Sequence, residues 1–375
     1  MRAFLVVLAL AGAALSAAAQ GTLSTQGYGY PAGPLSSRAL GMGGGIAELD
    51  PLTPLNPASL TSWGRSGFYA QYGPEFRSVE AGGTTDNSTI IRFPLIAGAV
   101  TVGDQWTIGF SFSDVLDRTW GTEVSGWYPL VSGDSVHYTQ NFKSAGSLTN
   151  VRAAAGYRLS NSLRIGFGLS FLTGQNTLAI VETFADSDYA GFAQVTVVNL
   201  SGTAVTAGLE WSPIPTFAVG LSGQLGGPLR GRRNDTLVVS ARAPSRAGTS
   251  LLFAGISGVV IAADAEWTQW SAMNGLEQST IVAQDTWDYG AGAEIKVAGM
   301  GGADLPVRLG YRWRQLPFPA GGQTVTESNY SFGFGIPVAT GRGRFDFGIV
   351  RAIRSANVPV QEKAWIVNVG ILVRP

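Results

Sequence analysis

The sequence predicts an all-β fold, a transmembrane antiparallel β-barrel of about 14 strands with an N-terminal plug inside its lumen. Charged residues are scarce, at 13% of the 375 residues, whereas hydrophobic residues reach 45%. Glycine and small polar residues replace the missing charges. After the N-terminal region no apolar run of about 18 residues occurs, which excludes helical membrane spans. Most of the remaining chain alternates apolar with small or polar residues, and this period of two is typical of a strand with one apolar face.

The N-terminus has the pattern of a secretory signal peptide. Arg2 supplies a positive charge, residues 3–15 are mainly apolar, and three alanines precede Gln20. The apolar run is too short to favour the alternative of a first transmembrane helix. We therefore expect a signal peptide at residues 1–19, a plug at residues 20–64 and a barrel at residues 65–375. A barrel of this kind would reside in the bacterial outer membrane after cleavage of the signal peptide.

The composition excludes several classes of function. The formal net charge is zero, so no nucleic-acid partner is expected. The absence of cysteine removes disulfides and thiolate chemistry. His137 is the one histidine, and no nucleophile-elbow sequence surrounds a serine, so we expect no enzyme. No calcium-loop spacing occurs, and Gly41–Gly45 lacks the Lys-Ser/Thr that follows a phosphate loop, so no metal and no cofactor are expected.

The segment before the first strand differs from the rest of the chain. Residues 36–45 and 55–60 are small and interrupted by glycine and proline, so they do not form a strand. Irregular backbone at membrane depth survives only when it is buried in protein or lines a cavity, which places this segment inside the barrel. The residues that we assign to the plug, and that either gate it or only fold it, are Gly41, Gly43, Gly44, Asn56, Pro57 and Ala58.

The alternation is clean enough to assign a face to each residue. In residues 106–113 the apolar face carries Trp106, Ile108, Phe110 and Phe112, and the other face carries threonine, glycine and serine. Because that second face is too poor in charge for a solvated surface, we expect it to line a plugged lumen, with the apolar face against lipid. Aromatic residues near strand ends predict two interfacial girdles, formed by Tyr69, Tyr72, Trp106, Tyr157, Trp211, Trp267, Trp270, Trp313 and Trp365.

The connections alternate in length, as they do in barrels of this kind. Short turns are expected at residues 103–104, 160–162, 212–215, 255–258, 299–303 and 339–341. The longest connections are expected at 115–146 and 174–200, where apolar residues suggest extracellular loops that capture a ligand. These two loops contain strand-like pieces, so 16 strands remain an alternative to 14.

Several motifs resemble the FadL family of outer-membrane transporters for long-chain fatty acids and other hydrophobic compounds, which includes TodX-like proteins. They are RALGMGG at residues 38–44, NPA at 56–58, GLSFLTG at 168–174, ADAEWTQWS at 263–271 and PVRLGYRW at 306–313, in the order of the family. The resemblance implies 14 strands and passive uptake of hydrophobic molecules such as fatty acids or hydrocarbons. The partners would then be a hydrophobic small molecule and outer-membrane lipids. Because related plugged barrels serve secretion systems, the alternative is a shuttle or scaffold for secreted proteins.

Five arginines fall on the small, polar face of the predicted strands: Arg152, Arg164, Arg308, Arg312 and Arg314. A buried charge without a partner is costly, so they either pair with lumen carboxylates such as Asp264 and Glu266 or receive the carboxylate of a ligand, as the resemblance implies. Further ligand-binding candidates are Trp120, Trp127 and Phe184 in the two long loops. Pro94 removes a ladder hydrogen bond and is expected to bend or open the barrel wall.

Overall fold

The computed structural model describes residues 22–130, 133–276, 282–298, 304–338 and 342–374. The predicted signal peptide and the turns predicted at 299–303 and 339–341 lie outside these residues. Within the described ranges no helix is both long enough and apolar enough to cross a membrane.

Sixteen strand segments make up one antiparallel sheet in the described part of the chain. The strands are β1 Gly67–Ala81, β2 Thr84–Val102, β3 Trp106–Asp117, β4 Trp120–Pro129, β5 Ser135–Arg158, β6 Leu163–Phe184, β7 Phe192–Ile214, β8 Phe217–Arg233, β9 Thr236–Arg242, β10 Arg246–Ile256, β11 Val259–Thr268, β12 Thr286–Ala298, β13 Asp304–Ala320, β14 Gln323–Val338, β15 Gly343–Ser355 and β16 Val360–Val373.

The sheet closes into a barrel with fourteen strand positions. The first strand, β1, pairs with the last strand, β16, and β8 pairs with β10, so the wall is continuous around the barrel. Strand β4 continues the position of β3 beside β5, and β9 shares with β10 the position beside β8. The prediction of about 14 strands is therefore confirmed. The count of 16 fails because two membrane-crossing strands are each interrupted, at residues 118–119 and 243–245.

The two faces of the strands are as the alternation predicts. Trp106, Ile108 and Phe110 are exposed on the outer wall, and Phe110 is 64% exposed, whereas Thr107 and Ser111 are buried. Two aromatic residues assigned to the girdles instead point inward. The buried Tyr69 hydroxyl accepts a hydrogen bond from a backbone N–H of the plug, and Trp270 is buried beneath the extracellular rim. Tyr69 points inward because its hydroxyl finds a hydrogen-bond partner in the plug, and Trp270 because its large ring packs in an apolar cluster of the lumen.

The connections separate the two rims of the barrel. Short turns at residues 103–105, 159–162, 215–216 and 257–258 lie on the rim where β1 begins and β16 ends, so this rim is periplasmic. The long loops predicted at 115–146 and 174–200 are wrong as loops, because β4 to β7 continue as paired strands beyond the other rim. For example, Tyr138 is paired with Phe184 and Glu182 with Phe192. In this projecting part, contacts between side chains of paired strands stabilise the sheet, so no surrounding membrane is needed.

Residues 22–64 occupy the lumen. They contain one short helix, α1 (Ser37–Gly41), and a 3₁₀ helix at Pro57–Trp63. The Ser36 side chain begins α1 by accepting a hydrogen bond from the Ala39 N–H at 3.1 Å. Apolar residues of this segment, among them Met42 and Ile46, pack against the inner wall of β10 and β11. The irregular segment is thus buried in protein along most of its length, as the sequence predicts.

Candidate functional site in the plugged lumen

The RALGMGG segment lies directly on glycines of the barrel wall. A Cβ added to Gly290, Gly292 or Gly310 would clash with the backbone of residues 42–44. These glycines of β12 and β13 therefore form a flat bed, on which the plug backbone approaches the wall without an intervening side chain. On the plug side, Gly43 has φ +60, and a Cβ there would lie 2.5 Å from the backbone N and O of Tyr311.

The neighbouring plug glycines complete this contact. Ser331 of β14 bridges the turn, since its Oγ accepts a hydrogen bond from Gly43 N–H at 3.1 Å and donates one to Gly41 O at 3.2 Å. Gly44, with φ +83, lies in the turn after the helix and donates its N–H back to Ala39 O at 2.8 Å. The three glycines named from the sequence thus lie in one turn that is fitted to the wall.

The NPA motif docks on a second glycine bed. A Cβ on Gly166 of β6 would clash with Pro57, and one on Gly208 of β7 would clash with Asn56 and Pro57. Asn56 caps the 3₁₀ helix, because its Oδ1 accepts a hydrogen bond from the N–H of the buried Ala58 at 2.9 Å. Its Nδ2 donates to Glu48 O at 2.9 Å within the plug and to Leu209 O at 3.1 Å in the wall.

Four of the five inward arginines pair with carboxylates. Arg308 donates to Glu294 and Asp346, each at 2.7 Å, and the plug residue Arg38 also donates to Glu294 at 3.1 Å. Arg312 pairs with Asp288, Arg314 lies between Asp288 and Glu327, and Arg164 pairs with Glu210. The two carboxylates that the sequence suggested as their partners bind other residues, since Glu266 pairs with Arg246 and Asp264 accepts a hydrogen bond from Ser250.

Arg152 is the exception. Its Nη1 donates to the carbonyls of Pro54 and Leu55 in the plug, but its Nε and Nη2 are buried without a hydrogen-bond partner. No carboxylate of the described residues lies within 4.0 Å of it. A Cβ on Gly168 would come within 2.7 Å of the Nε, so the guanidinium lies flat against this glycine. A buried cation with free donors is a place for an anionic group of a ligand.

A larger charged assembly near the extracellular rim was not predicted. Four arginines and four carboxylates surround the plug residue Tyr30, and we call them the charged cage: Arg77, Arg92, Arg314, Arg354, Glu75, Asp117, Glu327 and Glu362. Arg354 is 0% exposed and contacts three of the carboxylates at 2.5 to 2.7 Å. The sequence shows that these residues are polar, but only the strand register brings Glu327, Arg354 and Glu362 into one cross-strand row.

Tyr30 links the cage to the plug. Its hydroxyl donates to Glu327 at 3.0 Å, and its ring lies 4.6 Å from the guanidinium carbon of Arg354 and 5.1 Å from that of Arg92. Burial, and after it the Glu327 carboxylate, raises the pKa of the Tyr30 phenol, which keeps it protonated as a donor. Its backbone pairs with Asp117 at the end of β3 through hydrogen bonds of 2.7 and 2.8 Å.

An apolar layer closes the lumen on the extracellular side. Neighbouring strands each contribute one buried leucine, namely Leu116 of β3, Leu148 of β5, Leu172 of β6, Leu200 of β7 and Leu229 of β8. Tyr28 of the plug stacks on Phe318 at 4.6 Å, and Trp270 completes the layer.

Two cavities lie below the layer, one on each side of the plug residues 31–35, which we call the strap. The inner cavity, of about 110 Å³, is lined by Leu172, Trp270 and Arg152. The wall cavity, of about 60 Å³, reaches Gly73 and Pro94. Gly33, Leu35, Arg312 and Arg314 line both cavities, so the strap and these two arginines of β13 lie at the boundary between them.

The wall is irregular where the second cavity meets it. Pairing of β2 with β3 runs from Val102 only as far as Leu95 and ends next to Pro94. On the other side of β2, the register with β1 shifts between Gln71 and Gly73. Beyond Leu95 the two strands β2 and β3 are not paired in the described ranges, and we call this unpaired part of the wall the seam. Pro94 lies where the seam begins, because it has no N–H to extend the ladder.

The aromatic candidates of the predicted loops do not line the lumen cavities. Trp127 is exposed on the projecting β4–β5 hairpin and contacts the ring of His137 at 5.0 Å. Phe184 packs near Tyr128 and Tyr189 on the same projection. Trp120 lies beside Gly27 of the plug. Of the three, only Trp120 contacts the segment that fills the lumen.

Solved structures of FadL-type outer-membrane proteins share the closed barrel with its N-terminal segment folded inside. A Pseudomonas aeruginosa FadL homologue is 11% identical with a TM-score of 0.62, over 92% of this chain and 99% of that chain. The toluene transporter TbuX of Ralstonia pickettii is 13% identical with a TM-score of 0.60, over 91% and 98% of the two chains. For the toluene transporter TodX of Pseudomonas putida the values are 15% and 0.57, over 91% and 97%.

The chain itself belongs to the BamG family, whose model matches residues 1–221. A comparison with curated proteins found no match. The resemblance to FadL-type proteins is thus confirmed as a likeness of fold and architecture.

Proposed function

We propose that this protein is an outer-membrane channel for the passive uptake of hydrophobic molecules such as fatty acids or hydrocarbons. The observation that carries the proposal is the sequence of compartments across the wall: an apolar layer, the inner cavity, the strap, the wall cavity and the seam at Pro94. A hydrophobic molecule enters the apolar layer from the extracellular side, passes the strap and leaves sideways into the membrane.

The size of the cavities supports a gated rather than an open path. A dry cavity of about 150 Å³ accommodates benzene, and the two cavities measure about 110 and 60 Å³. Neither holds a ring together with a chain while the strap is in place. The plug, or at least residues 31–35, therefore moves during passage of any larger molecule.

The surroundings of Arg152 favour an amphipathic substrate. Its Nε and Nη2 are buried without a hydrogen-bond partner, and Arg152 lines the inner cavity together with Leu172 and Trp270. A carboxylate would bind the guanidinium while the hydrocarbon part stays against the apolar wall. Pure hydrocarbons would use the same path without this contact.

Two measurements test the proposal. Mass spectrometry of small molecules retained after gentle detergent extraction identifies the substrate class, with the Asn56→Ala variant purified in parallel. Uptake of radiolabelled oleate and of toluene into cells then tests the route. In the Gly73→Phe variant, a ring at the inner face of β1 fills the wall cavity, and we expect uptake to fall to background while ligand retention persists.

The control is Ala70→Phe, which adds the same ring on the lipid-facing side of β1, and we expect normal uptake. Equal uptake in Gly73→Phe and in the unmodified protein would refute the lateral exit. An empty lumen in the unmodified protein together with background uptake would refute transport as such.

A second candidate function is a shuttle or scaffold in protein secretion. The observation that favours it is the sheet formed by β4 and the outer parts of β5, β6 and β7, which projects beyond the extracellular rim. In the described part of the chain, β4 pairs with β5 and with no second strand, so its other side is an edge of the sheet. A stable protein partner, lost on deletion of β4 and retained on Gly73→Phe, would support this candidate.

A further inference from the structure

The outer wall carries two cations at the boundary of its apolar surface. On β16 the outward side chains from Val373 to Val367 are all aliphatic, Trp365 follows, and Lys363 is the first charged residue. Trp365 is 49% exposed. Because the extracellular end of β16 is Val360, this change from apolar to charged marks the outer boundary of the hydrocarbon region.

Arg351 lies in the aromatic row at this boundary. Register pairs join five neighbouring outward side chains, in the order Tyr311, Tyr330, Arg351, Trp365 and Phe76. Four of the five are exposed aromatic residues, and the guanidinium carbon of Arg351 lies 4.9 Å from the Trp365 ring centroid. Arg351 is therefore held at girdle height by a cation–π contact.

Lys363 occupies the next row outward on the adjacent strand. It is paired with Ile353 of β15 and Ser78 of β1, so it is a diagonal neighbour of Arg351 on the same face. Within the described ranges neither cation has a carboxylate within 4.0 Å, and Glu80, farther out on β1, forms no ion pair with Lys363. The inward arginines of the same strands, by contrast, are paired with carboxylates.

We propose that Arg351, Lys363 and Trp365 form a binding site for the phosphate group of an outer-leaflet glycolipid. Two cations without protein counter-ions at the edge of the hydrocarbon region are favourable when an anion lies at the same height. A phosphate accepts the two parallel N–H groups of a guanidinium and the ammonium of a lysine. The Trp365 ring and the aliphatic wall below it contact the acyl part, which ties the phosphate to a lipid rather than to free inorganic phosphate.

This inference goes beyond the proposed transport function and depends only on the outer-membrane location. The test uses the full-length barrel in phosphatidylethanolamine nanodiscs that contain either diphosphoryl lipid A or the same lipid without its phosphates. Native mass spectrometry then counts the glycolipid retained after delipidation. We expect the unmodified barrel to retain the phosphorylated lipid, and the Arg351→Gln/Lys363→Gln variant to retain it at least about tenfold less.

The matched control is Arg65→Gln, which removes an exposed arginine at the periplasmic end, and we expect its retention to be unchanged. Equal retention by the double variant would overturn the proposal. So would equal retention of the dephosphorylated lipid by the unmodified barrel, a result that does not depend on how well any variant folds.

Discussion

Replacing Arg354 tests whether the charged cage holds the extracellular half of the barrel together. The side chain is 0% exposed and contacts Glu75, Glu327 and Glu362 at 2.5 to 2.7 Å. Its loss in Arg354→Gln leaves the cage with one uncompensated negative charge that water does not reach. Removal of one partner from a buried ion pair costs about 3–5 kcal/mol, and we expect a loss of stability in this range.

The charge balance supplies the control. Glu327→Gln added to Arg354→Gln leaves the cage with three positive and three negative charges, so the double variant should be at least about 1 kcal/mol more stable than the sum of the two single effects predicts. The assay is guanidinium unfolding of the refolded barrel in detergent micelles, followed by tryptophan fluorescence. A loss below about 1 kcal/mol in Arg354→Gln would refute the reasoning, because that is the range of a solvated ion pair.

Four further outcomes follow from contacts of the plug and the lumen. Asn56→Ala removes the 3₁₀-helix cap and two wall and plug hydrogen bonds, which should cost about 1–3 kcal/mol in the same unfolding assay; Asn150→Ala is the control, and an equal effect would contradict the assigned role. Gly43→Ala places a Cβ against the barrel wall and should loosen the plug, which is measured as increased maleimide labelling of an introduced Ala32→Cys. Gly33→Ala is the control, because Gly33 also has a positive φ but no atom lies within 4 Å of the added Cβ, and we expect a smaller increase. Equal labelling of the two variants would show that backbone strain, and not the contact with the wall, is the whole cause. Leu148→Ala should lower the free energy of unfolding by about 2–5 kcal/mol and raise uptake of hydrophobic probes, because it loosens the extracellular layer. The control is the lipid-facing Leu169→Ala, which should leave uptake unchanged. Greater uptake by Leu169→Ala than by Leu148→Ala would show that the layer is not the barrier. Arg152→Gln should lower retention of oleate and not of toluene, with the ion-paired Arg164→Gln as control, and equal losses of both ligands would show that Arg152 supports the fold only.

The barrel itself could be predicted because its signals are local. Each outward residue meets lipid and each inward residue meets the lumen, so the alternation in residues 106–113 is sufficient to assign both faces. Prediction failed beyond the rim, where β4 to β7 continue as strands. Their pairing depends on partners far away in the chain, such as Tyr138 with Phe184, and not on a contrast between lipid and lumen.

The candidate site was predicted only in part, for the same reason. The plug motifs could be identified because glycine and proline mark irregular backbone, and Pro94 because proline cannot extend a ladder. The glycine beds under Gly43 and Asn56, however, come from strands more than one hundred residues away in the sequence. Likewise, nothing local indicates that Arg308 pairs and that Arg152 keeps free donors.

The sequence by itself thus determined the class of fold, the two faces of each strand and the place of the plug, since these follow from hydrophobicity and backbone chemistry at single positions. The tertiary structure decided which charges neutralise each other, where the cavities lie and which of the discussed cations have no carboxylate partner among the described residues. These properties depend on strand register, and a shift of one residue would turn every inward arginine to the lipid.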